Sequence, residues 1–108
     1  MSEIVIIVSL QAAEGGGDEV VKAFADCIPP THQEPGCLKY ALHRDSNDPD
    51  HLIHIEKWRS QDDLDAHIKT EHLANVTRAL GTPGLLTGRP SMWFCNSEMI
   101  GEPEKAAI

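Results

Sequence analysis

Residues 34–76 read EPGCLKYALHRDSNDPDHLIHIEKWRSQDDLDAHIKTEHLANV, and two periodicities meet in this stretch. From Cys37 to Arg44, Leu38, Tyr40, Leu42 and Arg44 fall on one side of an extended chain, with Cys37, Lys39, Ala41 and His43 on the other. From His51 to Trp58 the even positions are Leu52, His54, Glu56 and Trp58, and the odd ones His51, Ile53, Ile55 and Lys57. The loop between them, Asp45 to Asp50, consists of turn formers, so the two strands form an antiparallel hairpin. The period then becomes helical. Ser60-Gln61-Asp62-Asp63 resembles a capping box with Asp in place of Glu. Leu64 and Ile68 follow four apart. Thr70 breaks the pattern and can cap a second segment, in which Leu73, Val76 and Leu80 recur at helical spacing and Gly81 is the stop.

Upstream, residues 3–10 (EIVIIVSL) form a short apolar run, expected as a strand buried on both faces. Gly15, Gly16 and Gly17 make a turn. Without GK[ST] or GxGxxG they do not read as a phosphate loop. Asp18 is the expected N-cap of a helix whose apolar stripe is Val20, Val21, Phe24, Ala25 and Ile28. Pro29 and Pro30 should end it near Cys27–Ile28, leaving a short turn over Thr31–Gln33 before the Glu34-Pro35-Gly36 stop. Downstream, Pro90–Asn96 is the last strand, carrying Met92, Trp93, Phe94 and Cys95. The expected division is a domain over 1–96 and a polar tail or dimer arm over 97–108.

The order β-α-β-β-α-β describes a ferredoxin-like α+β fold, one antiparallel sheet with two helices on one face. The other face keeps Ile and Val side chains, and a second copy packed sheet to sheet would bury them. A chain of 108 residues with 41% hydrophobic residues supports one small core, which oligomerisation would help. The net charge of −8, without a Lys/Arg run, argues against a nucleic-acid or anionic-membrane partner. No apolar run reaches the roughly 18 residues of a membrane span, and the N-terminus lacks the features of a signal peptide, so a cytoplasmic protein is expected. Cys27, Cys37 and Cys95 are odd in number and lack a CxxC spacing, which reads as buried free thiols.

Taken in order, Glu34-Pro35-Gly36-Cys37 with Tyr40, Arg44-Asp45, Asp48-Pro49, Glu56-Lys57-Trp58, and Leu64-Asp65-Ala66-His67 followed by His72 resemble the antibiotic biosynthesis monooxygenase family. The likeness covers roughly residues 3–96. It implies a homodimeric α/β barrel with a pocket between sheet and helices in each subunit. Characterised members oxidise phenols or quinols with O₂ and no bound metal or flavin. Some relatives degrade haem. That activity would require an Asn on the first strand, where this chain has Ile6-Ile7-Val8-Ser9.

Cofactor-free oxygenation needs an electron-rich aromatic substrate, a base and a dry pocket. Histidine is the residue type that exchanges protons near neutral pH. His72 is the first candidate for base or substrate donor and His67 the second. Alternatively each is a helix-end His bonded to a carbonyl or water. Five residues apart on an unbroken helix they differ by about 140° of rotation, so only a break at Thr70 could bring them together. Trp58 and Tyr40 suit an aromatic wall. Glu56 can orient a His or fix an Arg; the plainer reading is a core Trp58 and a Glu56 salt-bridged to Lys or Arg. His54 and Arg44 complete the candidate substrate contacts, although Arg44 equally suits a turn anchor. His51 and His54 point to opposite faces, and no HExxH or Cys/His cluster is present, so neither metal nor cofactor is expected. Two other function classes remain open: a non-catalytic small-molecule-binding or stress-response barrel, and a cofactor-free isomerase or lyase using the same base.

Overall fold

The computed structural model describes residues 2–108. Strand β1 (Ile4–Gln11) is followed by α1 (Gly17–Ala25), α2 (Ile28–His32), β2 (Cys37–Arg44), β3 (His51–Trp58), α3 (Gln61–Ile68), α4 (Glu71–Leu80), β4 (Ser91–Cys95) and a helical turn α5 (Pro103–Ala106). The strands form one antiparallel sheet in the order β2-β3-β1-β4. This is the ferredoxin-like α+β plan that the sequence pattern describes. No helix among the described residues is long and apolar enough to cross a membrane.

The period of two on β3 sorts its side chains without exception: Leu52, His54, Glu56 and Trp58 are buried beneath the helices, and the odd positions are half-buried on the other face. Ile6, Val8 and Leu10 of β1 and Tyr40 of β2 join them, and Val20, Phe24, Leu64 and Val76 complete the core from the helices. A bulge between Cys37 and Lys39 takes Leu38 out of register and leaves it exposed.

Each of the two expected helices is divided in two. The first helix ends before Pro29 and Pro30, at Ala25, but the prolines then occupy the first turn of a further helix, α2, where a missing N–H costs nothing. Ser60 caps α3, its Oγ accepting from the Asp63 amide, and the Thr70 hydroxyl caps α4 by accepting from Leu73 N. Two expected caps differ. Gly16, not Asp18, is the N-cap of α1. The carboxylate serving that helix start is Asp50, whose oxygens accept from the Gly15 and Gly17 amides at 3.0 and 2.9 Å. Those amide bonds hold the Asp50 carboxyl below its ordinary range. Gly81 ends α4 at φ −79°, without the left-handed turn a C-terminal glycine usually supplies.

The opposite sheet face is less buried than the apolar run of β1 suggests. Trp93, Ile7, Ile55 and Ala41 pair across the four strands as one apolar row, and Trp93 is 52% exposed. The tail after Cys95 returns over part of this face, where Pro103 and Ala107 share a groove with Ala41 and Ile55. Gly36 marks a close approach on the helical side. A Cβ there would overlap the Asp63 side chain, so the EPG turn rests directly on the first turn of α3.

Candidate active site

A cleft of about 330 Å³ opens between the sheet and α4. Val8, Leu10, Tyr40, His54 and Glu56 line it from the strands, and Leu73, Val76 and Leu80 from the apolar stripe of α4. Phe24, Leu86 and Met92 contribute to its sides. The segment carrying Leu86 is held by backbone bonds from Ala13 N to Leu85 O and from Thr87 N to Gln11 O, both 2.8 Å. The larger groove beneath the tail is open and has no comparable buried polar group among its lining residues.

His54 is 1% exposed. Phe24 stacks on its ring at 5.0 Å between centroids, and Tyr40 meets it edge-on at 4.2 Å. Its Nδ1 stands 3.4 Å from Glu56 Oε2, and its Nε2 has no protein partner. A carboxylate can only accept, so the proton of a neutral His54 belongs on Nδ1 and Nε2 carries the free lone pair. The other oxygen of Glu56 accepts from Trp58 Nε1 at 2.9 Å. Glu56 is therefore neither a surface ion-pair residue nor an Arg anchor. It orients a histidine and a tryptophan. Burial, with the Glu56 carboxylate and Cys27 adding to it, pushes the Tyr40 phenol far above its ordinary value. Tyr40 is thus a neutral donor and aromatic wall, not a base.

A second carboxylate–imidazole cluster lies behind the first. Glu34 Oε2 is 2.7 Å from His67 Nδ1 and 2.9 Å from His72 Nε2. The break at Thr70 makes this possible: α3 and α4 are separate segments, and the histidines that an unbroken helix would turn apart converge on one oxygen. His67 is 2% exposed and its Nε2 is also without a partner. Its ring lies 4.4 Å from that of Trp58 and 5.3 Å from that of Tyr40. Trp58, fully buried, thus stands between the two clusters.

Of the residues singled out from sequence, Tyr40, His54 and Glu56 meet in the cleft. His67 and His72 meet each other on Glu34, outside the cleft lining. Trp58 is core and not an exposed wall. Arg44 is not brought to either place: its guanidinium bonds Asp18 at 2.9 Å and the Pro49 carbonyl at 3.2 Å, anchoring the hairpin turn to α1. The sequence places Glu34 in a helix stop and in the family motif but gives it no chemical role. Its signal was chemical: an acid beside a Pro-Gly turn, in a chain with two histidines flanking a helix break.

The antibiotic biosynthesis monooxygenase family model matches residues 3–79. The chain belongs to that family. It is 33% identical over 69 residues to the probable quinol monooxygenase YgiN of Escherichia coli K12, covering 56% of this chain and 66% of that protein. Sll1783 of Synechocystis, an uncharacterised protein, is 26% identical over 69 residues, covering 64% of this chain and 47% of its own length. The chain thus spans between about half and two thirds of these curated relatives. Among solved structures, PA3566 of Pseudomonas aeruginosa superposes with a TM-score of 0.79 at 28% identity, covering 89% of this chain and 94% of the other. A putative antibiotic biosynthesis monooxygenase of Caulobacter crescentus gives 0.80 at 26% identity, covering 89% and 90%.

Proposed function

We propose that the chain is a monooxygenase that oxidises a small phenolic or quinol-type aromatic with O₂ in the cleft between sheet and α4. The observation that carries this is His54, a buried residue lining an apolar cleft, backed by Glu56 and with an unpartnered Nε2. An orphaned buried polar atom costs about 1–3 kcal/mol, and a substrate hydroxyl would repay it. The family membership and the likeness to a probable quinol monooxygenase point the same way.

In this reading His54 Nε2 takes the phenolic proton, and Glu56 steadies the imidazolium that forms. The phenolate is electron-rich enough to reduce O₂ by one electron. The resulting pair combines at a ring carbon ortho or para to the oxygen that still carries a hydrogen (the ortho carbon in a quinol), and the His54 imidazolium returns its proton to the peroxide. Loss of water from the peroxide leaves a carbonyl on that carbon, so one oxygen atom enters the product and the other leaves as water. The four electrons come from the substrate, and no external reductant is required. Tyr40 supplies a neutral edge to the aromatic ring, and the apolar walls exclude water from the intermediate. His67 and His72 act on the cleft only through the rings of Tyr40 and Trp58.

We also take the working unit to be a homodimer. The row Trp93, Ile7, Ile55 and Ala41 is an apolar sheet face that a second copy would cover, with residues 97–108 as an arm at its margin. Light scattering on a Trp93→Asp variant tests this, a shift from dimer to monomer being expected. For the chemistry, oxygen uptake should be measured with a panel of naphthols and quinols. His54→Gln should lower kcat/KM by about 10²–10⁴-fold. The same base could move a proton without oxygen. Turnover that persists anaerobically would therefore replace the monooxygenase reading with an isomerase or lyase, and binding without turnover would favour a carrier.

A further inference from the structure

We infer that Glu34, His67 and His72 form a site for a divalent transition-metal ion, distinct from the cleft. Three donors of the right kind converge: Glu34 Oε2, His67 Nδ1 and His72 Nε2 all lie within 4.8 Å of one another. The two nitrogens stand 2.7 and 2.9 Å from the same oxygen. Around a tetrahedral ion with bonds near 2.0–2.1 Å, ligand atoms are spaced by about 3.3 Å, so the two nitrogen–oxygen distances would open by about half an ångström and the nitrogen–nitrogen separation, within 4.8 Å, would settle to a similar value. The ion would replace the two ring protons now facing Glu34.

The donors come from three places, the turn after α2, the end of α3 and the start of α4, so the fold and not a local motif assembles them. Burial is graded across the set. The side chains of His67, Glu34 and His72 are 2%, 15% and 21% exposed, which leaves an approach from the His72 side and a fourth position for water. Two imidazoles and one carboxylate favour Zn²⁺, Co²⁺, Fe²⁺ or Ni²⁺ over Mg²⁺ and Ca²⁺, which demand more oxygen donors. The chain's net charge of −8 draws cations toward it.

The weak point of the site sets its strength. A ligating histidine ordinarily donates its second N–H to a carboxylate or carbonyl, and loss of that partner costs 10–100-fold in affinity. His67 Nε2 has no such acceptor, and the ring lies against those of Trp58 and Tyr40. A micromolar site is therefore expected, one that responds to metal supply and need not hold an ion permanently.

The test is a Co²⁺ titration of the full chain with no affinity tag, followed by visible absorption, and a Zn²⁺ titration by calorimetry. One equivalent of Co²⁺ should give intense four- or five-coordinate bands that Zn²⁺ abolishes. Zn²⁺ should raise Tm. His72→Ala and Glu34→Gln should each weaken binding at least tenfold, while His51→Ala, at the far hairpin, leaves it unchanged. His72 is partly exposed, so its variant remains informative even where Glu34→Gln fails to fold. Absence of bands and heat at millimolar metal, or binding undiminished in His72→Ala, would overturn the site. Neither readout depends on turnover in the cleft.

Discussion

Two carboxylate–imidazole clusters lie under the helices, apart from the half-exposed His51–Asp45 pair on the hairpin, and they differ in how they are made. His54 and Glu56 are two residues apart on one strand, so the pleat alone puts them side by side beneath the helices. Glu34, His67 and His72 are 33 and 38 positions apart and meet only because three segments fold together. The first cluster is sealed among apolar residues beside a cleft, with one nitrogen unpartnered. The second reaches the surface through His72. A base that must work on a dry substrate suits the first, and exchange with an ion in solution suits the second. Trp58 joins them, bonded to Glu56 and with its ring tilted against that of His67.

The sharpest way to break this division is to exchange the expected roles. His54→Gln should cost about 10²–10⁴ in kcat/KM, whereas His72→Ala should cost less than about tenfold; the reverse order in an oxygen-uptake assay would put the base in the second cluster. Trp58→Phe comes next. It leaves the buried Glu56 carboxylate short of a donor and should destabilise the fold by about 1–3 kcal/mol in urea unfolding. An effect confined to stability, with activity intact, would mean that Glu56 does not need its tryptophan to hold His54. Thr70→Ala removes the cap of α4 and should cost about 1 kcal/mol. It should also weaken metal binding while sparing the cleft, which separates the clusters through a residue belonging to neither.

The smallest effect is the most discriminating. Cys37 feels both carboxylates: burial first, then Glu34, then Glu56, push its thiol up to about 11. Its thiolate is therefore scarce at neutral pH, and residue-resolved alkylation should be slow there and accelerate toward pH 11. Glu34→Gln should speed it, and Glu56→Gln should speed it less. The sign for stability follows from the same shift. The unfolded thiol ionises before the folded one, so this contribution is present below the ordinary value of 9.0 and is lost as pH rises through about 11. Equal rates in wild type and both variants would show that neither carboxylate reaches the thiol.

Much of the fold could be read from the residues, because alternation on β2 and β3 and the caps at Ser60 and Thr70 are local signals. The contents of the cleft were partly readable for the same reason: Tyr40, His54 and Glu56 share strand faces. Three things escaped. Arg44 shares the face of Tyr40, yet its long side chain reaches Asp18 instead, a contact 26 residues away that no periodicity encodes. Asp18 precedes an apolar stripe as caps do, but the tertiary carboxylate of Asp50 supplies the helix start. Glu34 could be assigned a role only once the angle between α3 and α4 was known, and that angle depends on packing. The break at Thr70 was visible, whereas its consequence for two side chains was not.

Gly36 gives the second cluster a particular kind of portability. Because its missing side chain lets the turn touch Asp63, the distance between Glu34 and the helices is set by backbone against the Asp63 side chain, which Arg59 and the Ser60 hydroxyl hold in place. Grafting the two histidines and the glutamate onto another scaffold would therefore not reproduce the cluster by itself. The transplant would have to carry the glycine as a silent fourth component. In a library of all single substitutions, position 36 should show the intolerance of a binding residue although it binds nothing.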